Sequence, residues 1–310
     1  MSAPMSHRIL VACVRTLVTG VGLALVVMTP QRTARASQGG AGKSILVTVL
    51  DQSGAPLRDL TAADFAVRED NIAREVTRAT LATDPLFVYV LVDTSQPTLG
   101  VTAPTRELRA GLSAFVTTLQ AASPEAQIAL MEFGGAAVTT VKFTSKKDDL
   151  ATYIQRMFPS QESGGVMLEA LVDAAKELGK KSSPRRAIVS VSFNSPETSS
   201  VQPRTVADAV LKAHASYWAI SIESQGEAGV TSSTGTPARE VILANLTRQS
   251  GGQRLTAIAA GSLDSMLKSI ATALTSQYLV TYTRPEGASV KSIQPAAKRG
   301  AKVMMAPWVR

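Results

Sequence analysis

The stretch Leu86-Phe-Val-Tyr-Val-Leu-Val92, followed at once by Asp93-Thr-Ser95-Gln-Pro97, decides the fold. An apolar run this short and unbroken reads as a strand buried on both faces. Such strands belong to parallel sheets covered by helices. This one delivers a carboxylate and a hydroxyl to its C-terminal end, the edge at which open α/β sheets bind ligands.

Downstream of that strand the pattern alternates. Pro104 suits the first turn of a helix, and Leu108, Leu112, Phe115, Val116 and Leu119 then share one helical face. Gln127 to Phe133 reads as the next buried strand, and Gly134-Gly135 turns it into a hairpin partner, Val138 to Phe143. Ser145 and Asp148 suggest a capped helix reaching about Phe158, and Leu168 to Leu178 marks another helical face. Ala187 to Ser192, a helix from Thr205 to Ala215, Tyr217 to Ile222, and a helix from Val241 to Gln249 continue the series. Gly252 to Thr256 reads as a short strand, Leu263 to Leu274 as the last helix, and Tyr278 to Tyr282 as the strand that closes the sheet. Strands alternating with helices of this length predict a parallel sheet with helices on both faces, and the hairpin predicts one antiparallel edge strand. Upstream, Ser44 to Leu50, Ala66 to Arg68 and Arg74 to Leu81 read as strands of a small β-rich lead-in, with turns at Asp51-Gln-Ser-Gly54 and Glu69-Asp-Asn71.

The 310 residues suggest about two domains, and 45% hydrophobic with 18% charged side chains are the proportions of a globular chain. The first 36 residues read differently. Arg8 and Arg15 precede an apolar run from Thr16 to Thr29, and Ala34-Arg-Ala36 supplies a small-x-small cleavage pattern. This is the pattern of a secretory signal peptide cleaved near Ala36, and the run is shorter than the roughly 20 residues a membrane-spanning helix needs. An uncleaved anchor is the alternative. Removing the segment takes four arginines and lowers the net charge from +8 to +4, with 28 basic against 24 acidic side chains. Most of the basicity is therefore targeting signal, and no nucleic-acid partner is implied. Membrane contact after cleavage is not expected. Cys13, the only cysteine, leaves with the signal, so the exported chain depends on its core and not on disulfides.

Several motifs resemble one family. Asp93-x-Ser95 at the end of the first buried strand, Phe143-Thr-Ser-Lys-Lys-Asp-Asp-Leu150, and Gly164-Gly165 followed by Leu168-Glu-Ala-Leu171 resemble the von Willebrand factor A domain. The lead-in, with Asp51–Pro56, Leu60–Phe65 and Glu69-Asp70, resembles that of an exported bacterial subfamily common in Acidobacteria. The resemblance implies a three-layer, doubly wound (Rossmann-like) α/β fold. It also implies segments at 1–36 (signal), 37–84 (lead-in), 85–284 (A-like domain) and 285–310 (basic strand or tail). In the family, five oxygen ligands gather around Mg²⁺ or Mn²⁺, small hard cations that prefer octahedral oxygen. Asp93 and Ser95 match two of them and are the candidate metal ligands. Pro97 replaces a second serine, Val166 stands at the threonine position, and Phe193 or Asn194 stands where an aspartate is expected, depending on register. The site is thus degenerate, and no cofactor is expected, with Mg²⁺ or Mn²⁺ as the alternative.

The remaining loops still form a polar rim, with Asp93, Ser95, Gln96, Ser163, Asn194 and Glu197 as candidate partner-binding residues. The expectation is a non-enzymatic, exported module that binds a protein or cell-surface ligand through this rim without metal. A metal-dependent adhesion module and a structural envelope protein are the alternatives. A hydrolase is disfavoured because His214, the only histidine after the signal, falls at the opposite edge of the sheet from the loops a triad would use. Lys180-Lys181-Ser-Ser-Pro-Arg185-Arg186 reads as a solvated connector at that same far edge, and the tail with Met304, Met305 and Trp308 as a packing strand. Gly42-Lys43-Ser44 lacks the glycine spacing of a phosphate loop.

Overall fold

The computed structural model describes residues 41–95, 104–159, 164–193, 195–222, 237–287 and 289–310. The expected signal peptide, Gln96, Ser163, Asn194 and the loop residues 223–236 lie outside them. The described residues open with β1 (Ala41–Leu50), β2 (Phe65–Glu69), β3 (Ile72–Arg74) and β4 (Val76–Leu81). The alternating part runs β5 (Phe87–Val92), α1 (Thr105–Ala122), β6 (Gln127–Glu132), β7 (Val138–Thr144), α2 (Lys147–Arg156), α3 (Met167–Gly179), β8 (Arg186–Ser192), α4 (Pro203–Lys212) and β9 (Ser216–Ile222). A helical stretch follows as α5 (Pro237–Val241), a π-helical turn (Ile242–Leu246) and α6 (Thr247–Gln249). Then come β10 (Arg254–Ala257), α7 (Leu263–Leu274), β11 (Tyr278–Arg284), β12 (Ile293–Ala297) and β13 (Lys302–Val309).

The main sheet has the order β10-β9-β8-β5-β6-β7. Its pairings are parallel except for β6 with β7, the predicted antiparallel edge. Side chains along β5 alternate between two cores, as a period of two requires. Val88, Val90 and Val92 pack with Leu112, Phe115 and Leu119 of α1 and Leu267 of α7. Tyr89 and Leu91 pack with Leu168, Leu171 and Ala175 of α3 and Val206 of α4 on the other face. Full burial of one such side chain, Phe115 for example, stabilises the fold by about 1.5–3 kcal/mol. The chain starts this sheet at β5 and then places β6 on one side and β8 on the other. The C-terminal end of β5 is therefore the topological switch point, where a crevice forms between diverging connections.

One strand departs from expectation. Tyr278–Arg284 does not close the parallel sheet. It pairs antiparallel with β1 and β4 in a separate sheet of order β13-β1-β11-β4. The physical reason is in its burial. Tyr278, Val280 and Tyr282 are buried while Leu279 and Thr281 are only half so, whereas β8 and β9 are buried at every position. A strand of this kind has one core face, and it turns that face to a third cluster with Ile45, Val47, Phe65 and Val67. The tail is a strand, as expected, and β13 pairs with β1. β2 and β3 form a hairpin whose turn residues, Asp70 (φ 47°) and Asn71 (φ 68°), both adopt the left-handed conformation. Asn and Asp tolerate that conformation and favour such two-residue turns.

Two smaller expectations are also corrected. Ser145 does not cap α2, which starts at Lys147, and the backbone N–H of Lys146 instead donates to Thr144 Oγ1 at 3.0 Å. The basic connector is not solvated at its end. Arg185 and Arg186 are buried, and Arg185 donates to the carbonyls of Asp84 (2.9 Å) and Leu274 (3.0 Å). Burial lowers the Arg185 pKa to about 10. Lys181 lies over the rings of Phe87 and Phe143, at 5.2 and 4.6 Å from their centroids.

Candidate functional site

β5 carries Asp93 to the switch point, and Asp93 is 1% exposed there. Its backbone is held by a hydrogen bond from its N–H to Val191 O of β8 at 2.9 Å. Both carboxylate oxygens are engaged. Oδ1 accepts the Ser95 N–H at 3.0 Å and also the Ser95 hydroxyl. Oδ2 accepts the Phe193 N–H at 3.1 Å and the Ser195 hydroxyl at 2.7 Å. Four donors from two loops thus converge on one carboxylate. Every one of those donors satisfies an acceptor lone pair that burial has taken away from water.

A second cluster sits beside the first. Glu197 lies in the loop after β8 and is buried. Its Oε2 accepts Arg239 Nε at 3.0 Å, an ion pair whose two side chains are 2% and 3% exposed. Its Oε1 lies 3.4 Å from the Leu168 N–H in the first turn of α3 and 3.3 Å from the Ser199 N–H. A carboxylate is favoured at a helix N-terminus because the first N–H groups have no intrahelical acceptor. Arg239, at the start of α5, also donates through Nη1 to Ser195 O at 2.7 Å and Phe193 O at 3.3 Å. One guanidinium therefore ties α5 to the loop that carries Ser195 and Glu197, and through Glu197 to α3.

The glycine pair expected before α3 is placed by close backbone approach. The Gly165 N–H donates to Pro196 O at 2.9 Å, and a Cβ on Gly165 would lie 3.1 Å from Phe133 O. Val166 is buried among Phe133, Met167 and Leu168, so its side chain joins the core and brings no oxygen to the rim. Phe193 is buried in the opposite core and borders a small notch beside Asp93, with Ser95, Leu108, Met157 and Phe158.

Of the six expected rim residues, Asp93 and Ser95 are brought together and Glu197 stands at the neighbouring ion pair. Gln96, Ser163 and Asn194 fall outside the described residues. Sequence reasoning missed Ser195 and Arg239. Ser195 had a signal, a hydroxyl in the third loop beside the position where an aspartate was sought. Arg239 had none, because it lies beyond the long loop that follows β9. Among the described residues no group of three or more His, Cys, Asp or Glu side chains is gathered as a metal cluster, and no helix is long and apolar enough to cross a membrane. His214 sits at the far edge, as expected, with Nδ1 against Pro307 O.

The sequence matches the family described as von Willebrand factor type A domain over residues 88–256. Similar solved structures include an aerotolerance-related membrane protein from Bacteroides fragilis, at 14% identity and TM-score 0.45, covering 60% of this chain and 98% of that one. A conserved hypothetical protein, BatB, from Bacteroides thetaiotaomicron aligns at 15% identity and TM-score 0.46, over 61% and 98%. A von Willebrand factor type A protein from Catenulispora acidiphila aligns at 10% identity and TM-score 0.47, over 87% and 74%. No curated protein matches the sequence.

Proposed function

The chain belongs to the von Willebrand factor type A domain family, and from that membership we propose an exported, non-enzymatic module. It docks a protein or cell-surface ligand on the loops at the C-terminal ends of the main-sheet strands, without a metal ion. The observation that carries the metal-free reading is the saturation of Asp93. Its two oxygens already accept four donors, and a cation would have to displace hydroxyl and amide protons that point at them. The donor set does not suit a small dication. Mg²⁺ and Mn²⁺ want about six oxygens in an octahedron, and here the buried side chain of Val166 brings carbon where the family brings a threonine oxygen.

The fold family supports binding, and a fold alone does not supply a reaction; His214, the only histidine among the described residues, stands at the far edge and not beside the hydroxyls of Ser95 and Ser195. The alternating sheet and the buried hub give the loops a rigid base, which favours docking with little reorganisation. The signal-like pattern of residues 1–36 supports the exported part of this reading.

The test is capture of a partner from a native envelope extract by the purified protein, with and without chelator, together with Mn²⁺ titration calorimetry. Capture that persists in chelator, with no saturable heat, is the expected result. Saturable Mn²⁺ binding lost in Asp93→Ala would sink the metal-free reading in favour of a metal-dependent adhesion site.

A further inference from the structure

The notch beside Asp93 continues outward into an open groove between the first turns of α1 and the end of α2. The groove encloses about 510 Å³ and is lined by Thr105, Arg106, Arg109, Ala110, Gln155 and Phe158. It shares Thr105 and Phe158 with the notch. Among the described residues two arginines line it and no carboxylate does. Arg109 is held in place. Its Nε donates to Met157 O at 3.1 Å, and its guanidinium lies 4.7 Å from the centroid of the Phe158 ring. No ion pair neutralises Arg109 among the described residues. Arg106 is 92% exposed and pairs with its neighbour Glu107 at 3.0 Å. An exposed pair of that kind contributes about 0–1 kcal/mol and is readily exchanged for a better acceptor. Phe158 is 69% exposed, the most exposed large apolar side chain among the described residues.

These features combine in one way. A guanidinium fixed by a carbonyl and an aromatic face loses little freedom when it accepts a partner, and its planar fork matches a carboxylate. Arginine and aromatic side chains are also those that dominate binding energy at interfaces. A phosphate would use the arginines but not the apolar side. The apolar side is the exposed ring of Phe158, which lines the same groove as the two arginines. We propose that this groove receives an acidic protein segment, with a carboxylate on Arg109 and Arg106 and a neighbouring apolar side chain against Phe158. The assignment deepens the docking reading and rests on it.

The experiment is fluorescence anisotropy on the purified protein with a labelled octapeptide that alternates glutamate and leucine. Peptides alternating lysine with leucine, and glutamate with serine, are the comparisons. The glutamate–leucine peptide is expected to bind best and to weaken with salt. Arg109→Met should weaken it about tenfold or more, with Arg109→Lys between Met and wild type. Phe158→Ser should weaken the glutamate–leucine peptide more than the glutamate–serine one. Equal binding of the lysine peptide, an unchanged affinity in Arg109→Met, or displacement by a short single-stranded DNA that binds more tightly would overturn the assignment. Unchanged urea midpoints exclude misfolding of these surface variants. The two levels separate in the envelope extract. Equal capture by wild type and Arg109→Met overturns the groove alone, whereas no capture by wild type overturns the docking reading beneath it.

Discussion

At the scale of single residues, the hub around Asp93 makes two side chains more important than their positions in the sequence suggest. Ser195→Ala removes a hydroxyl that donates to a buried carboxylate, and a hydrogen bond of that kind costs about 1–3 kcal/mol to lose. Arg239→Met leaves Glu197 buried without its partner, and the expected loss is about 3–5 kcal/mol. Urea unfolding of both variants checks this, and neither midpoint should depend on added Mg²⁺ or chelator. A stabilising effect of Mg²⁺ on wild type would contradict the saturated-carboxylate picture. Half of this site was legible. Asp93 and Ser95 announce themselves because they end an apolar strand, and Glu197 stands among the candidate rim residues of the third loop. Ser195 was legible in type but not in role, since only the folded loop turns it toward Oδ2 of Asp93. Arg239 was invisible because a pairing across 42 residues has no local periodicity to reveal it.

At the scale of elements, the parallel strands were readable because burial on both faces leaves a continuous apolar run. β11 was misassigned because its neighbours along the chain are helix and strand in the same rhythm as before. Its alternation of half-buried and buried residues was the sign that it faces one core only. A polar knot ties it to the hairpin of β2 and β3. Glu69 of β2 is fully buried and accepts hydrogen bonds from Tyr282 (2.7 Å) and Arg284 (2.5 Å) of β11 and from Arg74 of β3 (3.0 Å). Burial opposes the charge of Glu69, but Arg284, Tyr282 and Arg74 together hold its pKa below the usual 4.5. The same burial, with the Glu69 carboxylate, pushes the Tyr282 hydroxyl up to about 12. For a lowered carboxylate the stabilisation is fully present above about pH 4.5 and is lost as the pH falls through the folded value. Urea midpoints measured from neutrality downward should therefore fall below pH 4.5 in wild type, and fall less steeply in Glu69→Gln from a lower start. An element-level clash gives a second prediction. A Cβ at Gly252, just before β10, would lie 1.9 Å from Tyr217 O, which is backbone and cannot move aside. Gly252→Ala is expected to cost at least the upper part of the usual 1–3 kcal/mol for overpacking (about 3 kcal/mol), seen as a lower Tm.

At the scale of the whole molecule, the lead-in and the tail are one unit. β1 lies between β11 and β13, so the first and last described strands share a sheet with a strand that follows the last helix. That sheet packs on the main one through Leu50 and Met304, both part of the core beneath α1 and α7. The pairing of β1 with β13 is antiparallel, and its outermost bonds join the backbones of Ser44 and Arg310 in both directions, at 2.9 and 3.0 Å. This placement has a mechanical consequence. Tension applied between Lys43 and Arg310 loads those bonds one at a time, as a zipper is opened, instead of shearing the row together. A single-molecule pulling trace should show β13 peel away at low force before the six-stranded sheet yields in a second, higher event. The module would then lengthen under strain while the loops around Asp93 kept their shape.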